Sequence, residues 1–237
     1  MKDRDNAEQI VTPAVSYKSA ATIRKADLTL DTDGSVQGTV QFTITGPQAL
    51  YWRQNSIRNQ GEDFKKELQK SMQEILPEGL QTDLDHYSDV TAYNAPFVVN
   101  LKVSGSVGTV TGKHMFLPSQ FFESHIKHPF VAEEKRVAPI DVHYCRIDQD
   151  TTTWHLPDDY IVESAPAVSN MTWQDHALMK ISSSSSAGTV QIQRVSAYNY
   201  VFVNAADYGE LRGFYLKQAA ADQQQLVLVK APRIKEK

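Results

Sequence analysis

The sequence predicts a mainly β fold with some helix, of the α+β class, arranged as an antiparallel β-sandwich or an open sheet. Short segments in which apolar and polar residues alternate recur along most of the 237 residues. Turns that contain glycine or proline separate these segments. A helical period of apolar residues is clear only near residues 47–76 and again near the C-terminal end. A sheet-based fold with few helices follows from this pattern.

The first ordered segment, residues 26–44, predicts a β-hairpin. Apolar residues alternate with polar ones on both sides of an Asp33-Gly34 turn. Gly38 interrupts the second alternating run, and we predict a bulge there. Residues 1–25 are polar with little periodicity, so we expect them to be a flexible lead-in.

Helical periodicity predicts an insertion near residues 47–76, with apolar residues on one face and Glu and Lys on the other. Near the C-terminal end, Asp207 and Glu210 have the spacing of a capping box and predict a helix that runs to about Asp222. The apolar run LVLVK at 226–230 then predicts a last strand.

The segments between the helices read as strands and hairpins, so we expect residues 26–237 to form one mainly β region. A division into two subdomains, about 26–135 and 136–237, is the alternative. The run Ser182–Ser186 lies between two strand patterns and predicts a polar hairpin loop.

Composition and charge exclude several classes of protein. Hydrophobic residues make up 41% and charged residues 22%, which is typical of a folded globular chain. The formal charge of −4 arises from 24 basic and 28 acidic residues without a basic run, so we expect no nucleic-acid binding. No apolar stretch is long enough for a membrane span. The start, MKDRDNAEQIVTP, lacks the apolar core of a signal peptide, so we expect an exported form to have lost its leader.

Cys145 is the single cysteine, which excludes an internal disulfide and a multi-cysteine metal site. The segment IDVHYCRI predicts that it lies within a strand, with His143 on the same face. A catalytic cysteine needs a histidine base and a lowered thiol pKa, which a strand interior does not supply. We therefore favour a buried or half-buried structural cysteine.

The remaining candidates for chemistry have unremarkable spacing, so we predict neither a metal site nor a bound cofactor. Phosphate loops, dinucleotide fingerprints and nucleophile elbows are missing from the sequence. We interpret the paired aspartates as turn and cap residues and the histidines as exposed or capping residues. These candidates are Asp83 with Asp85, Asp158 with Asp159, and His125, His128, His143 and His155.

Aromatic residues cluster near the C-terminal end and are the candidate binding surface. The first three recur at every second position and would share one strand face, where they could stack on a sugar or a peptide. Packing within the core is the competing interpretation, and we favour it. The five residues are Tyr198, Tyr200, Phe202, Tyr208 and Tyr215.

The run from Tyr200 to Lys230 resembles the closing segment of bacterial transglutaminase-like proteins that carry an N-terminal β domain of unknown function. The stretch ADLTLDTDGSVQGTVQFTITGPQALYWR is similar to the part of that family that follows its core. The matching positions are Tyr208, Leu211, Arg212, Phe214, Tyr215 and 226–229, and earlier Asp33, Gly34, Gly38, Gly46, Ala49 and Arg53.

The resemblance implies a noncatalytic C-terminal accessory or interaction module of a cell-envelope protein, in the periplasm or outside the cell. The family's Cys-His-Asp set would lie upstream, and Cys145 has no place in it. The expected partners are that upstream core or a cell-envelope protein or peptide. Two alternatives stay open: an independent module that binds carbohydrate, peptidoglycan or peptide, and an unrecognised hydrolase that uses Cys145.

Overall fold

The computed structural model describes residues 16–123 and 128–231, and strands dominate them. The three helices are α1 (Gly46–Arg58), α2 (Glu62–Gln73) and α3 (Tyr208–Asp222). The strands are β1 (Ala21–Leu30), β2 (Ser35–Ile44), β3 (Leu80–Tyr87), β4 (Phe97–Ser106), β5 (Thr109–Thr111), β6 (His114–Pro118), β7 (Ile140–Asp141), β8 (Arg146–His155), β9 (Tyr160–Ser164), β10 (Ser169–Trp173), β11 (Ala177–Ser186), β12 (Thr189–Tyr198), β13 (Phe202–Val203) and β14 (Gln225–Lys230). The predicted α+β class, the helical insertion and the C-terminal helix with its last strand are confirmed.

The main sheet has eight strands in the order β10-β11-β12-β8-β1-β2-β4-β3. Its neighbours are antiparallel except for β1 and β8, which run parallel. This parallel pair joins strands from either side of residue 135, and both groups of strands share one buried apolar core. The alternative division into 26–135 and 136–237 therefore does not match the sheet, because its two halves contribute adjacent strands.

The smaller elements complete the structure around this sheet. Strand β14 lies between β6 and β9 in a four-stranded sheet, and β7 pairs with β13. Helix α2 buries Phe64, Leu68 and Met72, which are four residues apart and therefore share one face. Among the described residues, no helix is long and apolar enough to cross a membrane.

The predicted lead-in is too long, because β1 already begins at Ala21 and residues 21–25 are part of it. Residues 1–15 lie outside the described part of the chain. Arg24 is almost fully buried, which accounts for the weak polar–apolar alternation at the start of this strand. A buried charge reads as a surface residue in the sequence, and its partner is distant along the chain.

The bulge predicted at Gly38 is wrong, since Gly38 pairs in regular register with Leu28. A glycine is still required there, because a Cβ atom would overlap the carbonyl oxygen of Asp27. The residue permits a close approach of two backbones within an unbroken ladder.

Two further local predictions differ from the structure. Ser182–Ser186 belong to strand β11 and pair with β12, so they are not a loop, although the hairpin itself is confirmed. Asp207 precedes α3 but makes no side-chain cap hydrogen bond. Glu210 instead accepts a hydrogen bond from the indole nitrogen of Trp173, at 2.9 Å. The partner of Glu210 is thus 37 residues away, whereas the serines pair with the strand that directly follows them.

Candidate functional site

A cleft of about 520 Å³ opens beside the main sheet, between the start of α1, the loop that follows β6, and α3. We call it the arginine cleft. The ends of β8 and β12 form its wall and contribute Arg146, Asp148 and Arg194, while Glu123 and His128 line it from the loop. Ligand pockets in proteins are typically concavities of this size with a few polar groups at fixed positions.

Strand register brings a buried arginine onto a carboxylate next to this cleft. Arg24 on β1 lies directly opposite Asp150 on β8. Its Nε and Nη2 donate to the two Asp150 carboxylate oxygens, at 2.6 and 2.9 Å. Its Nη1 donates to Glu123 Oε1, at 2.7 Å. Burial, the largest single cause, raises the pKa of Glu123. The charge and hydrogen bond of Arg24, together with the charges of Arg194 and Arg146, outweigh it and leave that pKa below its usual value.

A second bidentate pair extends this network towards α3. Arg194 on β12 is the register partner of Asp150 from the other side. Its Nε and Nη2 donate to the carboxylate of Asp222, at 2.8 and 2.9 Å. His128 Nε2 lies 3.3 Å from the same carboxylate. Burial raises the pKa of Asp222, against the opposing charge of Arg194, and burial lowers the pKa of His128.

Arg146 and Asp148 are the loosely paired charges of the cleft. They are two residues apart on β8 and therefore face the same side of the sheet. Arg146 Nε is 3.4 Å from Asp148 Oδ2, and within residues 16–123 and 128–231 neither side chain makes a hydrogen bond. The Arg146 guanidinium lies over the ring of its register partner Tyr198, 4.4 Å from the ring centre. Burial raises the pKa of Asp148.

The loops around the cleft contain unusual backbone conformations. Glu123, Phe130 and His143 have φ values of 60°, 64° and 67°. Positive φ values are uncommon for residues with a side chain and cost free energy, so the surrounding structure must hold them. Such residues cluster at binding and catalytic sites. Here Glu123 itself lines the cleft, and Phe130 and His143 are each next to a lining residue in the chain.

A second, smaller cavity of about 280 Å³ lies at the start of α3, and we call it the aromatic pocket. Trp173, Tyr200 and Phe202 line it, with the Trp173 and Tyr200 rings in edge-to-face contact at 5.4 Å. Glu210 accepts hydrogen bonds from the side chains of Trp173 and Gln174. Phe202 is 56% exposed.

The five aromatic residues predicted as a binding surface do not form one platform. Tyr198 and Tyr215 are buried, stack on each other and line the arginine cleft. Tyr200 and Phe202 line the aromatic pocket instead. Tyr208 is buried against the loop near residue 130. Of the five, Phe202 alone is exposed, since β12 ends at Tyr198 and the expected common strand face ends with it.

The prediction that Cys145 lies within a strand is wrong, because Cys145 precedes β8, which begins at Arg146. His143 has left the extended conformation and lies 3.4 Å from Asp141, so the expected shared face with Cys145 does not exist. Cys145 is half-buried, which agrees with the sequence interpretation. Tyr144 lines the arginine cleft beside it.

The other candidate groups are dispersed. His125 lies outside the described residues, and His155 is paired with Asp27. In the part of the chain that the structure describes, no three His, Cys, Asp or Glu side chains are grouped as metal ligands.

The paired aspartates have two different outcomes. Asp158 and Asp159 form a turn, as predicted. Asp83 and Asp85 instead lie on the edge strand β3, where a turn was expected. Asp85 is in contact with Lys102 on the neighbouring strand β4, at 3.3 Å, so cross-strand pairing accounts for its position.

Sequence reasoning missed the charged residues of the arginine cleft, although one signal was present. In the segment RIDQD, Arg146, Asp148 and Asp150 occupy every second position, so a central strand presents three charges on one face. A charged face is expensive to bury unless partners satisfy it. The partners Arg24 and Arg194 lie more than forty residues away along the chain, and only the sheet brings them close.

Comparison with known proteins gives a partial match. A family described as "Domain of Unknown Function with solved-structure structure (DUF3858)" matches residues 113–228. This range includes β8, β12 and α3, which form much of the arginine cleft. No curated protein matches the sequence.

A similar solved structure is a crystal structure described as a "putative protease" from Parabacteroides distasonis. The two chains are 14% identical with a TM-score of 0.41, over 51% of this chain and 24% of that chain. The present chain thus spans about a quarter of the length of that protein.

Proposed function

We propose that this chain is a noncatalytic interaction module of a transglutaminase-like cell-envelope protein, and that the arginine cleft binds a polar segment of its partner. The main observation behind this proposal is the Arg146–Asp148 pair, which lies on a central strand at the wall of the cleft. Within the described residues, neither side chain of this pair makes a hydrogen bond. A site on a packed sheet holds such groups in fixed positions, as recognition requires.

The buried ion pairs support this proposal because they anchor the wall of the cleft. Arg24 and Arg194 each donate from Nε and Nη2 to one carboxylate, that of Asp150 and that of Asp222, so these two arginines anchor the wall. Arg146 is left to face the cleft with a third of its side chain exposed. The bidentate pairs thus separate structural arginines from one that can bind.

The proposed parent protein rests on the resemblance of the C-terminal run, part of which falls inside the matched residues 113–228. The upstream transglutaminase-like core, or a cell-envelope protein or peptide, is the proposed partner. The periplasmic or extracellular location belongs to the same proposal. In this arrangement the chain contributes binding, and the reaction belongs to the core.

An NMR titration of the ¹⁵N-labelled chain with tri-alanine tests the binding function. We expect shifts confined to residues around the arginine cleft, and we expect them to be lost in Arg146→Gln. The exposed substitution Lys102→Gln is the matched control and should keep them. Mass spectrometry of the tri-alanine after incubation should show no product. Cleft shifts that persist in Arg146→Gln would contradict the proposal, and so would cleavage of the peptide.

Carbohydrate binding in the aromatic pocket is a second candidate, favoured by the exposed ring of Phe202 beside Trp173 and Tyr200. Aromatic rings with nearby polar groups are suited to a sugar, which has both an apolar face and hydroxyl groups. Titration with chitobiose should then shift resonances near residues 202–210, and Phe202→Ala should abolish the shifts. Unchanged spectra would remove this candidate.

A further inference from the structure

The charges of the arginine cleft are unequally satisfied. Arg24, Asp150, Arg194 and Asp222 all take part in bidentate, charge-assisted hydrogen bonds. Arg146 and Asp148 lie near each other at 3.4 Å without a hydrogen bond in the described part of the chain. A guanidinium has five N–H donors and a carboxylate has about four acceptor positions, so this pair has much unused capacity.

We propose, on the basis of the function proposed above, that the arginine cleft binds an α-amino acid group, with its carboxylate on Arg146 and its ammonium on Asp148. In an α-amino acid the ammonium and the carboxylate are bonded to the same carbon, so the two charges are adjacent. Arg146 and Asp148 present one positive and one negative group at a similarly short distance, so each can face the ligand group of opposite charge. The ligand converts one loose ion pair into two charge-assisted pairs. A group of zero net charge also suits a wall that presents both signs.

The surroundings of the pair fit this ligand. The Tyr198 ring lies against the Arg146 guanidinium and fixes its plane, which favours a bidentate carboxylate. Arg24 uses only Oε1 of Glu123, and the Glu123 side chain is 40% exposed, so Oε2 can accept from the ammonium as well. The cleft is larger than one amino acid backbone, which leaves space for a side chain and for a larger ligand attached through that side chain.

Proton linkage gives this ligand a distinctive signature. Burial, with the neighbouring Glu123 and Asp150 carboxylates, holds the pKa of Asp148 above its usual value, against the opposing charges of Arg24 and Arg146. An ammonium next to Asp148 favours the ionised carboxylate. Binding therefore releases protons at a pH near the raised pKa, and affinity should increase as the pH rises through it.

The test compares L-alanine with N-acetyl-L-alanine, which has no ammonium, and with L-alaninamide, which has no carboxylate. The affinities are measured by NMR titration of the whole chain. Each blocked compound should bind at least about tenfold more weakly than alanine, as expected when a charged hydrogen-bonding partner is lost. In Asp148→Asn, the advantage of alanine over N-acetyl-L-alanine should disappear, whereas Lys102→Gln should retain it. Calorimetry in two buffers should show proton release in the wild type and none in Asp148→Asn.

The outcomes separate this inference from the function on which it rests. The expected order, with loss of the ammonium preference in Asp148→Asn, supports an α-amino acid ligand. If either blocked compound binds as tightly as alanine, the ligand class is wrong. If tri-alanine shifts the cleft resonances and alanine does not, the inference is also wrong, but the binding function remains. If neither compound shifts them, both proposals fail.

Discussion

Removal of the buried Arg24 side chain should reveal how strongly the ion-pair network holds the cleft. In Arg24→Met the Asp150 carboxylate loses two hydrogen bonds, while its other arginine, Arg194, remains 3.8 Å away. Breaking a buried pair by removing one partner costs about 3–5 kcal/mol, because the remaining charge is uncompensated. Glu123 is 40% exposed and regains water, so it adds little. We therefore expect a loss of about 3 kcal/mol, at the lower end of this range.

Urea unfolding followed by tryptophan fluorescence measures this loss at neutral pH. Lys65→Met is the matched control, because it breaks a surface pair with Glu62 and should leave the unfolding midpoint unchanged. The double variant Arg24→Met/Asp150→Leu should recover part of the loss, since the second change removes the uncompensated charge. A loss below about 1 kcal/mol in Arg24→Met would refute the reasoning, because it would mean that Asp150 is not a buried charge in need of this partner.

Three further predictions follow from single positions. Asp148→Asn should stabilise the chain at neutral pH, because the pKa of Asp148 is raised in the folded state and its ionisation therefore costs stability as the pH rises through that pKa. Below the pKa of Asp148 in the unfolded chain the gain should vanish, and urea unfolding at several pH values would refute this if the gain persisted in acid. Gly38→Ala should destabilise the chain by about 1–3 kcal/mol through overlap with the neighbouring strand, whereas Gly213→Ala, in open space within α3, should stabilise it. Equal effects of the two substitutions in thermal unfolding would contradict the close backbone approach at Gly38. Cys145→Ser should leave the tri-alanine titration unchanged, and a lost response would restore the cysteine as a functional group.

Several elements could be predicted because their determinants are local. The first hairpin follows from alternation around the Asp33-Gly34 turn, where Gly34 has a φ of 85°. Helix α2 follows from the spacing of Phe64, Leu68 and Met72. In both cases the residues that specify the element are close together in the chain, so a short window of sequence is enough to predict it.

The arginine cleft could not be found in this way. Its wall depends on the register of β1, β8 and β12, which brings Arg24, Asp150 and Arg194 into line across three strands. A charged residue in a segment with weak alternation is predicted to be exposed. Its burial is favourable only when a partner of opposite charge lies next to it in the folded chain.

The sequence by itself determined the α+β class, both helical regions and the last strand, because periodicity and turn residues act over short distances. The tertiary structure decided the parallel contact of β1 with β8, the burial of Arg24 and the loose pairing of Arg146 with Asp148. These features depend on which strands become neighbours. Strand neighbours are selected by the free energy of the whole packed core, to which residues far apart in the chain contribute together.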